Sequence, residues 1–462
     1  MDTRVHQQRR LALLVVLLAL FMDLLDNTIV NVALPVIRDD LGASSSSLQW
    51  VAAGYALSFA LGLITGGRLG DIFGRKRIFL IGIAGFTVAS ALCGAAQTPG
   101  QLVAARVLQG IGAALMVPQV LSIIQVLFPP GERAKAMAAF GALAGIATVG
   151  GPIVGALLTE GDVAGLGWRS IFLINLPVGV FTLLAAALVV PESKAEHANR
   201  LDLPGTALVT LGLLLLIYPL VQGREMGPVW IWSSLAGSLV VLAVFVAYER
   251  RRVDSPLVVL ALFRHRSFSG GLLVALLFFG GVFGYLLVFT VYLQAGQGYS
   301  VLRAGLAGIP WGAAVPVFAA ISLAVFAPRL GRPVLQVGLV LMSVSMLWQM
   351  MLVGPGVTAL SLAPALVVGG AGMGLILALL FDFTLADVPV QDAGSASGLG
   401  TTVQQVGTAI GIAAIGAAFF TGPTTSGLSV AFQRALWLPV GMFAAAFAAS
   451  FLLPRKAQHR EI

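Results

Sequence analysis

The sequence predicts an all-α polytopic membrane protein, and three observations support that fold class. Of its 462 residues, 58% are hydrophobic and only 10% are charged, whereas a soluble domain carries about 25% charged residues. Apolar runs close to the ~20 residues that span a bilayer recur along nearly the whole chain. The connections between these runs are too short to hold a catalytic domain. A water-soluble fold is therefore excluded.

Fourteen apolar runs, bounded by charges or by clusters of glycine and proline, predict fourteen transmembrane helices. In chain order, the runs are Leu11 to Ala33, Leu48 to Gly66, Ile78 to Ala95, Leu102 to Phe128, Ala136 to Leu158, Ser170 to Val190, Thr206 to Gln222, Val229 to Ala247, Phe268 to Leu293, Gly305 to Phe326, Val334 to Leu352, Ala359 to Phe381, Ser395 to Phe420 and Leu436 to Leu453. This pattern of six, two and six runs predicts two related halves with an inserted two-helix hairpin.

The same runs predict the segment boundaries. We expect a cytoplasmic tail at 1–10, a six-helix bundle at 11–190, a linker with the inserted hairpin at 191–250, a second six-helix bundle at 251–453 and a cytoplasmic tail at 454–462. An even number of spans places both termini on the same side of the membrane.

The positive charges predict which side that is. Inner connections of membrane proteins carry an excess of lysine and arginine. Of the 27 such residues here, the predicted outer connections hold only Arg38, Arg169, Arg224, Arg303 and Arg434. The excess of arginine over lysine, with abundant alanine and glycine, is typical of a GC-rich bacterial genome. We therefore expect a multi-pass protein of the bacterial cytoplasmic membrane with both termini inside.

Several other classes of function find no support in the sequence. The single cysteine, Cys93, excludes a disulfide framework and a multi-cysteine metal site. The net charge of +8 is scattered over short connections, so no nucleic-acid partner is expected. No phosphate-binding Gly-x-x-x-x-Gly-Lys-Ser/Thr loop occurs, which excludes ATP as the direct energy source. Because the histidines are dispersed and the acids few, we expect neither an enzyme nor a metal or cofactor site.

Charged residues inside the predicted helices are the strongest candidates for function, since a charge at the bilayer centre costs about 2.5–3.5 kcal/mol. They are Asp23, Asp26 and Arg106, with Asp382 near the end of the twelfth helix. At 1.5 Å per residue, Asp26 and Arg106 both lie roughly 10 Å deep and can share a layer. A carboxylate beside a guanidinium stays ionised, whereas one without that partner in apolar surroundings binds a proton.

The role of the other two acids stays open. Asp23 precedes Asp26 by three residues, which places both carboxylates on one helical face. Asp23 is either a second proton site and an attractor for a cationic substrate, or a residue that only hydrogen-bonds a neighbouring helix. Asp382 is either part of the transport path or an interfacial residue.

Four stretches carry a more specific pattern. They are Gly67-Arg-Leu-Gly-Asp71-Ile-Phe-Gly74-Arg75-Lys76 after the second helix, Leu102 to Ala114 with Arg106 and Gln109 in the fourth, Gly151-Pro152-Ile-Val-Gly155 in the fifth, and Leu25-Asp26-Asn-Thr28-Ile-Val-Asn31-Val-Ala33-Leu-Pro35 in the first. Together they resemble the major facilitator superfamily and, within it, the fourteen-helix drug:proton antiporters. Two further stretches are similar to the fourteen-helix subgroup: Trp168-Arg169-Ser-Ile-Phe-Leu-Ile-Asn175-Leu-Pro177 at the sixth helix and Ala393-Gly-Ser-Ala-Ser397-Gly at the start of the thirteenth. Together these features span nearly the whole chain.

This resemblance implies a major facilitator fold and a role for each motif. It implies proton coupling by Asp26, Arg106 and Gln109, and packing between the two bundles by Gly151, Pro152 and Gly155. The implied cytoplasmic latch comprises Gly67, Asp71, Gly74, Arg75 and Lys76. Ala138 and Ala147 stand where the fifth-helix motif has glycines, which weakens its support for antiport over symport.

We therefore expect a proton-coupled antiporter that exports hydrophobic, cationic or zwitterionic drugs by alternating access, with protons rather than a cofactor as its coupling agent. The expected substrate-binding residues are Asp23, Asp26, Asn31 and Asp382. A dedicated exporter of a single antibiotic or natural product is the alternative, and a proton symporter is less favoured. The expected partners are the lipid bilayer and the small-molecule substrate, and we expect the protein to work as a monomer.

Overall fold

The computed structural model describes residues 2–128, 143, 147, 150–195, 201–222, 227–252, 256–354, 356–377, 379–388, 393–420 and 427–455. Over these residues the chain is almost entirely helical and has no β-strand. Thirteen helices within the described part are long and apolar enough to cross a membrane. The prediction of an all-α, multi-pass membrane protein is therefore confirmed.

Some predicted features fall outside the described residues. They are the first half of the fifth helix predicted at Ala136 to Leu158, with Ala138, the end of the first linker at 196–200, and most of the carboxy-terminal tail at 456–462. The predicted segment boundaries as a whole stay predictions.

The first compact unit comprises Met1–Thr210 and Arg251–Leu257. Its helices are α1 (Asp2–Leu41), α2 (Ser45–Phe73), α3 (Arg75–Ala95), α4 (Pro99–Leu127), α5 (150–160), α6 (Ser170–Leu173) and α7 (Asn175–Val189).

Local sequence sets several of these helix ends. Ser44 caps α2 by accepting a hydrogen bond from the N–H of Ser47, and Thr98 caps α4, with proline at the first helical position. Between α2 and α3, Gly74 adopts φ +112°, a conformation that residues with a Cβ rarely adopt. The two helices can therefore join without a longer linker.

Helix α4 lies at the centre of the first unit, where it packs against α1, α2 and α3. Glycines allow the close approach of α3 and α4. A Cβ on Gly82 would lie 2.6 Å from the backbone nitrogen of Met116, and one on Gly112 would lie 2.6 Å from that of Phe86. In lipid, such close backbone packing is a main source of helix association.

The end of α1 is tied to the segment that precedes α7. Oδ2 of Asp40 accepts hydrogen bonds from Nε1 of Trp168 and from the guanidinium of Arg169, each at 2.9 Å. This anchor fixes where the chain enters α6 and α7, and so positions Asn175 at the start of α7.

The second compact unit comprises Leu211–Arg250 and Val258–Ile462. The predicted hairpin corresponds to α8 (Leu203–Gln222), which begins in the first unit, and α9 (Pro228–Arg251). The other helices are α10 (Arg266–Val291), α11 (Val301–Ala307), α12 (Ile309–Ile321), α13 (Ala327–Leu330), α14 (Arg332–Leu352), α15 (Ala359–Leu377), α16 (Leu380–Leu385), α17 (Ala393–Phe420) and α18 (Gly427–Ser450). Within this unit, α10 packs against α17 and α18, and α15 packs against α12 and α14.

Several helices extend beyond the apolar runs that predicted them. Helix α18 begins at Gly427 rather than at Leu436, because the polar residues between them are also helical. Among these, Gln433 donates from Nε2 to the carbonyl oxygen of Met350 at 2.9 Å. An apolar run therefore marks the membrane-spanning part of a helix rather than its ends.

Candidate functional site

A group of polar side chains is buried inside the apolar first unit. Asp26 is 0% exposed and Arg106 is 1% exposed, although both are ionisable. We call this group the polar cluster, and its members are Asp26 on α1, Ser90 on α3, Arg106 and Gln109 on α4, and Asn175 on α7. Side chains from four helices therefore meet at one charged centre.

An ion pair forms the middle of the polar cluster. Nη1 of Arg106 donates to Oδ2 of Asp26 at 2.5 Å and to Oε1 of Gln109 at 2.5 Å. Nε of Arg106 donates to the carbonyl oxygen of Val51 on α2 at 3.1 Å. Since burying each charge costs several kcal/mol, the pair depends on this surrounding set of hydrogen bonds.

Two side-chain amides hold the other oxygen of Asp26. Nε2 of Gln109 and Nδ2 of Asn175 each donate to Oδ1 at 2.8 Å. The same two amides also donate to Oγ of Ser90, at 2.8 and 3.3 Å respectively. The carboxylate thus accepts three hydrogen bonds, which suits its ionised form because an ionised carboxylate is an acceptor only.

The second acid of α1 lies beside the polar cluster. Asp23 is 2% exposed, and its Oδ1 accepts a hydrogen bond from the hydroxyl of Tyr55 on α2. The ring of Tyr55 covers Arg106, with its centroid 4.2 Å from Cζ. Asp23 therefore does bond a neighbouring helix, and its role in substrate or proton binding stays a prediction.

The other two predicted substrate residues lie elsewhere. Asn31 is half-buried and lies five residues after Asp26 on α1. Its side-chain amide donates to the carbonyl oxygen of Asn27 in the same helix at 3.3 Å. Asp382 is an exposed residue in the first turn of α16, in the second unit. Neither residue belongs to the polar cluster, and their roles stay predictions.

The signature loop, Gly67 to Lys76, is mostly helical: it comprises the end of α2, the linking Gly74 and the start of α3. Its Asp71 and Arg75 form a partly exposed ion pair, in which Nη2 donates to Oδ1 at 2.9 Å. An exposed pair at this spacing contributes only about 0.3–0.5 kcal/mol. This pair therefore needs other contacts to hold the loop, and the predicted latch function is untested.

Those contacts come from Glu192, a residue outside the signature loop. Its Oε1 accepts a hydrogen bond from the backbone N–H of Lys76 at 3.1 Å, and the N–H of Arg75 donates to the carbonyl oxygen of Ser193 at 2.9 Å. The carboxylate of Glu192 lies against Gly74, since a Cβ on Gly74 would be 2.7 Å from Oε1 of Glu192. Glu192 thus caps α3, which has no capping side chain of its own.

The glycines of the fifth-helix motif lie against α1. A Cβ on Gly151 would lie 2.8 Å from Cβ of Thr28, and one on Gly155 would lie 2.6 Å from Cγ1 of Ile29. Pro152 between them is half-buried. The two glycines therefore allow α5 to approach α1 close to Asp26, and their expected role between the two bundles stays a prediction.

The second unit contains a neutral buried group of its own. The hydroxyl of Tyr285 on α10 donates to Oε1 of Gln349 at 2.9 Å, and Nε2 of Gln349 donates to Oγ of Ser345 at 3.2 Å. Trp311 stacks on Tyr285, with 5.3 Å between the ring centroids. Because these side chains are uncharged and satisfy one another, they can brace the unit but offer no counterpart to the Asp26–Arg106 pair.

Three residues of the site were not assigned a role from the sequence. Asn175 lies in the Trp168 to Pro177 stretch, which resembles the same family, so that motif could have identified it. Tyr55 and Ser90 are an ordinary tyrosine and serine in apolar helices, and no spacing relates them to Asp26. In the described part of the chain, no three histidine, cysteine, aspartate or glutamate residues group closely enough to hold a metal ion.

Comparisons with known proteins agree on the class of molecule. A family model described as the Major Facilitator Superfamily matches residues 16–412. The chain is 48% identical over 422 residues to the probable actinorhodin transporter of Streptomyces coelicolor, which covers 90% of this chain and 73% of that protein. It is 34% identical over 419 residues to the multidrug resistance protein Stp of Mycobacterium tuberculosis, and the match covers 89% of this chain and 76% of that protein.

The fold is similar to that of solved transporter structures. A bacterial homolog of the human lysosomal transporter Spinster, in an inward-facing and unoccupied conformation, superposes with a TM-score of 0.70 and 18% sequence identity. The match covers 98% of this chain and 99% of that chain. At this identity, the likeness concerns the fold alone.

Proposed function

Because the chain belongs to the Major Facilitator Superfamily, we propose that it exports a hydrophobic, cationic or zwitterionic compound across the membrane in exchange for protons. Substrate crosses by alternating access between two six-helix bundles. Protons are the coupling agent, with no enzymatic reaction and no cofactor. The protein works as a monomer in the bacterial cytoplasmic membrane, with both termini inside.

The observation that carries this proposal is the buried Asp26–Arg106 pair. A pair with 0% and 1% exposure is costly to build into a membrane protein, and a purely structural brace could be apolar instead. Ionisable residues inside a membrane are functional candidates by default. Asp26 is thus the proposed proton site, and Arg106 and Gln109 are the residues that set its proton affinity.

Protonation changes what Asp26 can bind. The neutral acid loses its attraction to Arg106, and one of its oxygens becomes a hydrogen-bond donor. It then faces the donating groups of Arg106, Gln109 and Asn175, so the polar cluster must rearrange. Since these side chains come from α1, α4 and α7, a proton on one oxygen changes the contacts among three helices.

The energy available for export depends on the net charge of the substrate. One proton that moves down 100 mV releases about 2.3 kcal/mol. Since 1.4 kcal/mol corresponds to a factor of ten, this energy supports roughly fifty-fold accumulation per proton of a zwitterionic substrate without net charge. Exchange of one proton for one monovalent cation moves no net charge and is driven by the pH gradient alone.

Charge and the relatives support the proposed substrate class. Two carboxylates one turn apart, Asp23 and Asp26, favour a substrate with a cationic group. Similarity to a multidrug resistance protein supports export of several drugs. The higher identity to a protein named as a transporter of one antibiotic supports the second candidate, a dedicated exporter of a single natural product.

Transport into liposomes with an imposed pH gradient tests the proton exchange. We expect the wild type to accumulate tetraphenylphosphonium, a permanent hydrophobic cation, and Asp26→Asn to lose this accumulation. Asp39→Asn is the matched control, since Asp39 is 70% exposed at the end of the same helix. Uptake by Asp26→Asn at the wild-type level would contradict the proposal.

A resistance panel in cells separates the two candidate functions. Protection against several unrelated cationic drugs supports a multidrug exporter. Protection against one compound only supports a dedicated exporter.

A further inference from the structure

Tyr55 lies between the second acid and the ion pair of the polar cluster. Its hydroxyl donates to Oδ1 of Asp23, and its ring centroid lies 4.2 Å from Cζ of Arg106. Tyr55 is 0% exposed and Asp23 is 2% exposed. A single side chain of α2 therefore contacts both an acid of α1 and the guanidinium of α4.

Backbone packing fixes the position of this tyrosine. One turn before it on α2, the carbonyl oxygen of Val51 accepts the Nε–H of Arg106 at 3.1 Å. One turn after Arg106 on α4, Gly110 lies against the main chain of Tyr55, since a Cβ there would be 2.5 Å from the carbonyl oxygen. The contact between α2 and α4 thus holds the phenol ring over the guanidinium.

The ionisable groups around Tyr55 come from two other helices. Asp23 and Asp26 lie on α1 and Arg106 lies on α4, and all three are buried. The buried Cys93 on α3 contacts Gln109 instead. Two carboxylates therefore face one guanidinium. While Asp26 is ionised, it holds Arg106; once Asp26 is protonated, Asp23 is the remaining carboxylate beside Arg106 in this group.

On the basis of the proposed proton exchange, we infer that Asp23 binds the cationic group of the substrate and that Tyr55 is the positioning residue that couples Asp23 to Asp26. The phenolic hydroxyl and the substrate cation compete for the same carboxylate, since the hydroxyl donates to Oδ1 of Asp23. A substrate cation displaces the hydroxyl and pairs with ionised Asp23. This site therefore selects an organic cation.

Release of the substrate follows from the same contacts. When a proton binds to Asp26, Arg106 loses its ion-pair partner. The ring of Tyr55 holds the guanidinium beside Asp23, so Arg106 then competes with the substrate for that carboxylate. The cation leaves as the hydroxyl returns to Asp23. Binding of the proton and binding of the substrate then exclude each other, as exchange requires.

Three variants separate the hydroxyl of Tyr55 from its ring. Tyr55→Phe keeps the ring over Arg106 and removes only the hydroxyl, whereas Tyr55→Leu removes both. Tyr218→Phe on α8 is the matched control, since Tyr218 is 44% exposed. Each variant of the full chain is reconstituted in liposomes with tetraphenylphosphonium as the probe. Uptake driven by a pH gradient and counterflow without a gradient are both measured.

We expect Tyr55→Phe to lower KM about tenfold, because the substrate no longer has to displace a hydrogen bond to a charged group. Counterflow stays near its wild-type value, and kcat of the pH-driven uptake falls about tenfold because no hydroxyl returns to Asp23. Loss of the charge in Asp23→Asn raises KM by about tenfold or more. Adding Tyr55→Phe to Asp23→Asn has no further effect, because the hydroxyl acts through that carboxylate.

Two results would overturn this inference alone. Wild-type behaviour of Tyr55→Phe in both assays would show that the hydroxyl has no role. Equal loss of uptake and counterflow in Tyr55→Phe and Tyr55→Leu would show that Tyr55 only supports the fold. By contrast, a wild-type protein that shows counterflow but no pH-driven uptake would overturn the proposed proton exchange, and this inference with it.

Discussion

Replacement of Gly74 by alanine tests whether Glu192 anchors the signature loop. The new Cβ would lie 2.7 Å from Oε1 of Glu192, at a residue with φ +112°. Such a backbone conformation costs about 1–3 kcal/mol in a residue other than glycine. Displacing Glu192 also removes the cap of α3, which contributes about 0.5–2 kcal/mol, nearer the lower value because Glu192 is exposed. We expect a total loss of about 2–3 kcal/mol.

A double-mutant cycle separates the two contributions. In a Glu192→Ala background the alanine at position 74 no longer meets a carboxylate and the cap is already lost, so Gly74→Ala should cost about 0.5 kcal/mol less than in the wild type. Glu192→Gln is the control, since it retains the Oε1 acceptor. Stability is measured by thermal unfolding of the purified protein in detergent. An equal cost of Gly74→Ala in both backgrounds would show that Gly74 serves the backbone turn alone, and the role of Glu192 would be refuted.

Two further substitutions test the packing around the site. Arg106→Gln leaves Asp26 buried without its cation and should destabilise the protein by about 3–5 kcal/mol. Adding Asp26→Asn should restore part of that loss. If the losses of the two single variants simply add in the double variant, as measured by thermal unfolding, the ion pair is contradicted. Gly151→Ala places a Cβ against Oγ1 of Thr28 and 2.8 Å from its Cβ, and should cost about 1–3 kcal/mol. Thr28→Ala removes Oγ1 but keeps Cβ, so it should recover part of this cost. A double variant that melts no higher than Gly151→Ala would show that another neighbour causes the strain.

The sequence was sufficient to place the main charged residues, because burying charge in a membrane is rare and the helical rise is constant. Counting along the helices put Asp26 and Arg106 at the same depth, and the structure brings them into contact. The apolar runs also predicted the fold class. These inferences rest on one-dimensional spacing within single helices, which a sequence shows directly.

The remaining contacts depend on how helices turn about their axes and pack, which one sequence does not show. The ring of Tyr55 reaches Arg106 because Gly110 brings α4 against the main chain of Tyr55. Glu192 meets Gly74 because the chain after α7 passes beside the signature loop. Positions 74 and 192 share no sequence pattern, so only the folded structure shows their contact.

Proton release on substrate binding is the most direct measurement of the proposed exchange at Asp26. Tetraphenylphosphonium is added to the purified protein in weakly buffered detergent solution, and the change in pH is recorded beside the binding of the probe. We predict that the wild type releases protons as it binds the cation. Asp26→Asn, which resembles protonated Asp26, should bind the cation more weakly and should release no protons at concentrations that saturate it. Proton release by Asp26→Asn equal to that of the wild type would contradict the assignment of Asp26 as the proton site.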